Sequence, residues 1–228
     1  MEILGILKLV LFDLDNTLLA GDSDYAWGQF LIEQGVVERE RYQQQNQYFY
    51  QEYKNGTLDI HAFLDFQLRP LAEHTLSQLQ CWHQLYMQRL IQPMITPQAQ
   101  QLVRDALDHA DLVAIITATN SFVTRPIATV FGVEHLIATE IEMIDGQFTG
   151  KVLGTPSFQA GKITRLHQWL TDIQRPFASF DETWFYSDSR NDLPLLQQVS
   201  HPVAVNADPI LRAHAQAHHW RLLDLHAQ

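Results

Sequence analysis

Two aspartates stand two residues apart at the end of an apolar run. Leu9, Val10, Leu11 and Phe12 lead straight into Asp13, and Asp15 and Thr17 follow. A short apolar run closed by polar turn residues reads as a buried parallel strand. Such a strand has no packing use for Asp13, because a carboxylate desolvated without a partner is costly. Taken alone, Asp13 and Asp15 also fit an Asx turn. The rest of the chain argues for a site. Thr117 ends a second apolar run at residues 112–116, and Asp188 and Asp192 follow a third at residues 183–186. In an open parallel sheet the carboxyl ends of all strands share one edge, where ligand-binding groups gather.

Asp13, Asp15, Asp188 and Asp192 on one edge would repel strongly at low dielectric. They call for counter-charge. Lys162, at the start of a helical stretch, supplies part of it. A Mg²⁺ ion would supply more, since it takes oxygen ligands, usually one or two carboxylates with waters and a phosphate oxygen. A phosphate can then sit beside the acids if donors surround its remaining oxygens. Thr117, Lys162 and the segment Ala118, Thr119 and Asn120 are placed to donate, with a helix start at Ser121 nearby.

These groups need a scaffold. Strands are expected at residues 7–12, 112–116, 135–139, 183–186, 202–205 and 220–225, with a hairpin turning at Asp145-Gly146. Helical periodicity occupies residues 97–109, 121–131, 161–170, 193–199 and 208–217. Alternation of this kind predicts an α/β fold, a mainly parallel Rossmann-like sheet with helices on both faces. Residues 21–93 interrupt it with helical periodicity alone. Four helices are expected there, around residues 25–34, 41–53, 57–68 with Thr57 as N-cap, and 77–91. The chain thus divides into a core of residues 1–20 and 94–228 and a helical cap of residues 21–93.

Composition narrows the function. The chain has 228 residues, 46% hydrophobic and 18% charged, which suits one α/β domain with an insert. A net charge of −11 argues against sequence-independent nucleic-acid binding and against an anionic membrane surface. No apolar stretch is long enough to span a membrane. Cys81 is the single cysteine, so no intramolecular disulfide can form. A cytoplasmic protein is expected.

The motifs FDLDNT at residues 12–17, IIT at 115–117, Lys162 and SDSRND at 187–192 occur in this order. They resemble the four motifs of the haloacid dehalogenase-like hydrolase superfamily. The helical insert resembles the cap of its phosphoserine phosphatase-like branch, subfamily IB. The resemblance implies that Asp13 attacks phosphorus and forms an aspartyl-phosphate. It implies that Asp15 protonates the leaving alcohol and then activates water. Asp13, the backbone carbonyl of Asp15 and Asp188 would hold Mg²⁺, with Asp192 orienting a metal-bound water or Lys162. Thr117 and Lys162 would bind the transferring phosphoryl group. An acid at the position of Asp15 argues for a phosphatase over a dehalogenase. Ser187 departs from the pattern, which has glycine before this aspartate.

Substrate choice belongs to the cap. In the phosphoserine phosphatase-like branch an acidic residue near the cap entrance recognises a substrate amine, so Asp22 and Asp24 imply an amine-bearing phosphomonoester. The runs LAGDSDYAWGQFL and ITATNSFVTRPIA resemble a sub-branch that includes histidinol-phosphate phosphatases. L-Histidinol phosphate is the expected substrate and phosphoserine the second choice. A phosphomutase with the same core is the alternative reaction. Aromatic residues of the insert, Tyr25, Trp27, Tyr48, Phe49, Tyr50, Tyr53, Trp82 and Tyr86, either stack on a ligand ring or pack the cap.

Overall fold

The computed structural model describes residues 6–226. The outermost residues assigned to the core, 1–5 and 227–228, lie outside them. The strands run in chain order as β1 (Lys8–Phe12), β2 (Leu112–Asn120), β3 (His135–Thr139), β4 (Ile141–Ile144), β5 (Gln147–Val152), β6 (Glu182–Ser187), β7 (His201–Val205) and β8 (Arg221–Leu223). Six of them form one sheet in the order β3-β2-β1-β6-β7-β8. Every neighbouring pair in it is parallel. The fold is the Rossmann-like α/β arrangement expected. β4 and β5 pair separately as an antiparallel hairpin.

Side chains of a strand alternate between faces, and β1 shows why this sheet is covered twice. Val10 and Phe12 join one apolar cluster and Leu9 and Leu11 the other. The first cluster takes in Ala99 and Val103 of α5 (Pro97–His109) and Val123 and Ile127 of α6 (Ser121–Val130). The second takes in Leu166 and Leu170 of α7 (Ala160–Asp172), Leu195 and Leu196 of α8 (Leu193–Leu196) and Leu211 and Ala215 of α9 (Pro209–Ala217).

Between β1 and α5 the chain makes α1 (Ser23–Glu33), α2 (Arg39–Asn55), α3 (Ile60–Glu73) and α4 (Leu76–Tyr86), then a π-helical turn at Met87–Ile91. Leu19 and Ile95 bridge where the chain leaves and re-enters the sheet layer. Trp27 lies at the junction. Its ring packs on Phe30, Tyr86 and Phe122, and all of them join the cluster that holds Phe12.

Two local expectations are corrected. Thr57 does not cap α3; Asp59 does, accepting from the His61 and Ala62 N–H groups. Gly56, at φ 72°, turns the chain out of α2, and Thr57 folds back to bond Glu52. β2 does not stop before Thr117 but runs on to Asn120, where it pairs with Thr139. Polar side chains disguise those last residues as a loop.

Candidate active site

The carboxyl ends of β1 and β6 and the carboxyl half of β2 deliver Asp13, Asp188 and Thr117 to one edge, as parallel topology requires. Lys162 comes from the first turn of α7. Its Nζ lies 2.7 Å from Asp13 Oδ1 and 2.8 Å from Asp192 Oδ2. Asp13, Asp15, Asp188, Asp192 and Lys162 are all buried. Burial alone would lower the Lys162 pKa, but the Asp13 and Asp192 carboxylates outweigh it and raise it.

Thr17 ties the acids together. Its Oγ1 lies 3.0 Å from Asp13 Oδ2 and 3.2 Å from Asp188 Oδ1, and it accepts from the Asp188 N–H. Asp13 Oδ2 and Asp188 Oδ1 therefore converge on one hydroxyl. Burial drives the Asp13 pKa up to about 7; Lys162 opposes the rise, while Asp192 and Asp15 add to it. Burial, with the charges of Asp13 and Asp192, lifts Asp188 well above the usual carboxylate range. Four buried acids against one lysine leave an excess of negative charge that a cation would relieve.

Among the described residues no group of three or more His, Cys, Asp or Glu side chains is arranged to hold a metal. Asp192 is bonded to Lys162 at 2.8 Å. Mg²⁺ needs only one or two carboxylates, with carbonyl, water and substrate oxygens completing the shell. Asp13 and Asp188 offer hard carboxylate oxygens that both lie beside Thr17 Oγ1, so the donor chemistry suits such an ion.

Asp15 is held differently. Its Oδ1 accepts from the Ser23 N–H at 2.6 Å, and its Oδ2 accepts from Thr119 Oγ1 at 2.8 Å. Burial raises its pKa against the pull of those donors. Asp13 faces Lys162 and Thr17 while Asp15 faces the Ser23 N–H and the Thr119 hydroxyl, so the two acids of one motif have different partners.

A cavity lies above the sheet edge, lined by Asp13, Asp15, Thr117, Ala118 and Thr119 below. Asp22, Asp24, Tyr25, Asn46, Phe49, Tyr50, Tyr53, Leu58, Ile60 and Phe63 line it from the helical segment, and Phe158 from the core. Asp22 caps α1, accepting from the Tyr25 N–H. Its pKa is pushed up to about 7 by burial and by Asp15. Asp24 is bound to Gln67 Nε2 at 2.8 Å, and Tyr42 holds Gln67 in turn. Asn120 does not line the cavity. It caps α6, accepting from the Val123 N–H.

Asp13, Asp15, Thr117, Lys162, Asp188 and Asp192 meet at the sheet edge, Asp22 and Asp24 line the cavity from the helical segment, and Asn120 faces a helix end. The aromatic set divides. Trp27 and Tyr86 are core, Tyr25, Phe49, Tyr50 and Tyr53 line the cavity, and Tyr48 is exposed. Three polar groups were missed as partners: Ser23, which binds Asp15, Gln67, which binds Asp24, and Ser187, which binds Asp192. Only Ser187 had a signal, as the departure from glycine. No described helix is long and apolar enough to cross a membrane.

Comparison with known proteins identifies the family. The family model for haloacid dehalogenase-like hydrolases matches residues 10–197. A histidinol-phosphatase of Neisseria meningitidis serogroup C is 45% identical over 218 residues, covering 95% of this chain and 98% of that protein. A Bordetella pertussis protein of unknown function has a crystal structure that superposes with a TM-score of 0.92 at 45% identity, covering 97% of this chain and 100% of the other. A substrate-bound phosphoserine phosphatase superposes with a TM-score of 0.67 at 18% identity, covering 96% and 93%, which is a likeness of fold.

Proposed function

The chain belongs to the haloacid dehalogenase-like hydrolase family and is a phosphatase, and from that premise we propose that it hydrolyses a small amine-bearing phosphate ester, L-histidinol phosphate first, through an aspartyl-phosphate on Asp13. The observation that carries the reaction is that Asp13 and Asp15 are held by different partners, a lysine for the one and neutral donors for the other. Asp13 has Lys162 at 2.7 Å and is the nucleophile. Asp15, held in place by Thr119 and Ser23, is the acid positioned to give a proton to the leaving alcohol. After transfer it takes a proton from the water that hydrolyses the aspartyl-phosphate. The phosphoryl group passes from the ester oxygen to a carboxylate oxygen of Asp13 and then to water.

Asp13, the carbonyl of Asp15 and Asp188 would hold Mg²⁺, which supplies positive charge to keep Asp13 ionised and to draw in the phosphate. Asp192 keeps Lys162 beside Asp13. Thr117 and the backbone at Ala118 and Thr119 receive the phosphoryl oxygens, which carry the charge that builds up in the transition state. Residues 21–93 act as the cap and the remainder as the catalytic core.

The substrate reading rests on the histidinol-phosphatase relative and on the cavity wall. That wall carries acids and aromatic rings and no lysine, arginine or histidine. Asp24 is buried against Gln67 while Asp22 is the less buried of the two, so Asp22 is the acid that meets the amine. The rings of Tyr25, Tyr50 and Tyr53 suit a cationic or aromatic substrate body.

Phosphate release from L-histidinol phosphate, phosphoserine and p-nitrophenyl phosphate, each with Mg²⁺ and with EDTA, tests the reading. Histidinol phosphate is expected to have the highest kcat/KM, and EDTA to abolish release. Background rates on both amine-bearing esters would overturn the substrate assignment. Activity that survives EDTA would overturn the metal requirement, and a phosphoenzyme burst without net release would favour a phosphomutase.

A further inference from the structure

Ser187 is the last residue of β6 and is completely buried. Its Oγ donates to Asp192 Oδ2 at 2.7 Å and accepts from the Ser189 N–H at 3.2 Å. Ser189 in turn caps the tight turn Arg190–Asp192 by accepting from the Asn191 N–H. Two serines thus set the turn that carries Asp192. The same Oδ2 that Ser187 touches receives the Lys162 ammonium at 2.8 Å. Lys162 is shared almost evenly, since Asp13 Oδ1 lies at 2.7 Å on its other side.

We propose that Ser187 is a positioning residue for the reaction, acting through Asp192 to set how Lys162 is divided between Asp192 and the nucleophile. The inference rests on the reading that Lys162 serves phosphoryl transfer. A hydroxyl bonded to Asp192 Oδ2 takes up part of its charge, which weakens its hold on the ammonium. The remaining pull of Lys162 is directed to Asp13 and, in the transition state, to the phosphoryl oxygens. Without the hydroxyl, Asp192 faces Lys162 with its full charge, and the ammonium shifts away from the reacting atoms. Glycine at this position would leave the carboxylate without that donor and the Ser189 N–H without its acceptor. The serine thus bears on a lysine that two buried acids share.

The test is steady-state kinetics on p-nitrophenyl phosphate with Mg²⁺, which needs no knowledge of the natural ester. Ser187→Ala is expected to lower kcat about tenfold with KM within about twofold, because the lost interaction acts on the transition state. Ser187→Thr, which restores a hydroxyl, is expected to recover most of the loss. The double variant Ser187→Ala/Asp192→Asn is expected to be no slower than Asp192→Asn alone, since the serine acts only through that carboxylate. Rates are referred to the folded fraction from the thermal melt, which a merely structural role would move in place of kcat. Unchanged kcat in Ser187→Ala, a change confined to KM, or full additivity with Asp192→Asn would overturn the proposal. Lys162→Met serves as the control for the underlying reading. If that variant keeps full activity, the role of Lys162 itself fails; if it is inactive while Ser187→Ala is unaffected, only the role of Ser187 fails.

Discussion

Replacing Asp13 with asparagine should kill turnover and stabilise the metal-free protein. Asparagine keeps the shape and removes one negative charge from a buried group of four acids. The hydrogen bonds can all be remade. The amide oxygen of the new side chain would accept from Lys162, and its amide nitrogen would donate to Thr17, which can turn its own proton to Asp188 Oδ1, 3.2 Å away. Lys162 keeps Asp192 as partner at 2.8 Å. The magnitude follows from the Asp13 pKa, about 7 in the fold against 3.8 ordinarily. A carboxylate with a raised folded pKa destabilises the fold above that pKa. The penalty vanishes below the unfolded pKa and grows as pH rises between the two. At roughly 1.4 kcal/mol per unit, the penalty above pH 7 is about 4 kcal/mol, and at pH 5 it is less than half of that. For a chain of this size, Asp13→Asn should melt about 10 °C above the wild type at pH 8 in EDTA, with the gap falling by more than half at pH 5. Mg²⁺ should narrow the gap by binding the wild type more tightly. Calorimetry at both pH values, with phosphate release alongside, makes the check. An asparagine variant that melts at or below the wild type at pH 8, or a gap that ignores pH, would refute the reasoning about burial and repulsion.

Three further outcomes are expected. Asp15→Asn should lower turnover of alkyl phosphates about 10²–10⁴-fold, as loss of a general acid does. With p-nitrophenyl phosphate, whose leaving group needs no proton, it should give a burst of nitrophenol followed by slow turnover, read by stopped flow. Asp22→Asn, which keeps the helix cap but not the charge, should raise KM for the amine-bearing ester about tenfold and change p-nitrophenyl phosphate hydrolysis far less; equal effects on both esters would remove Asp22 from amine recognition. Trp27→Ala should destabilise by about 3–5 kcal/mol in denaturant titration, since the ring fills the junction between helices and sheet.

The acids at the strand ends could be read because parallel topology converts chain order into position. Asp13, Thr117 and Asp188 each close an apolar run, and such runs can only end at the same edge. Their supports were not legible. Thr119 reaches Asp15 across 104 residues and Gln67 reaches Asp24 across 43, and neither contact leaves a local pattern. The last turn of β2 was hidden because threonine and asparagine there serve the site and a helix cap while their backbone continues the strand. The start of α3 was ambiguous, since Thr57 and Asp59 are both good caps and the left-handed Gly56 decides between them. Residue types also could not sort the aromatic side chains. Trp27 and Tyr50 look alike in a helical run, yet one fills the core and the other lines the cavity.

The most direct test of the account is to trap the phosphoenzyme. The Asp15→Asn variant, mixed with p-nitrophenyl phosphate and Mg²⁺ and quenched in acid within one turnover, should carry a phosphoryl group on the peptide that contains Asp13, seen by peptide mass spectrometry. That group should be absent from Asp13→Asn treated in the same way. Phosphate release with no phosphorylated peptide, or a phosphoryl group on any other residue, would contradict the assignment of Asp13 as the nucleophile.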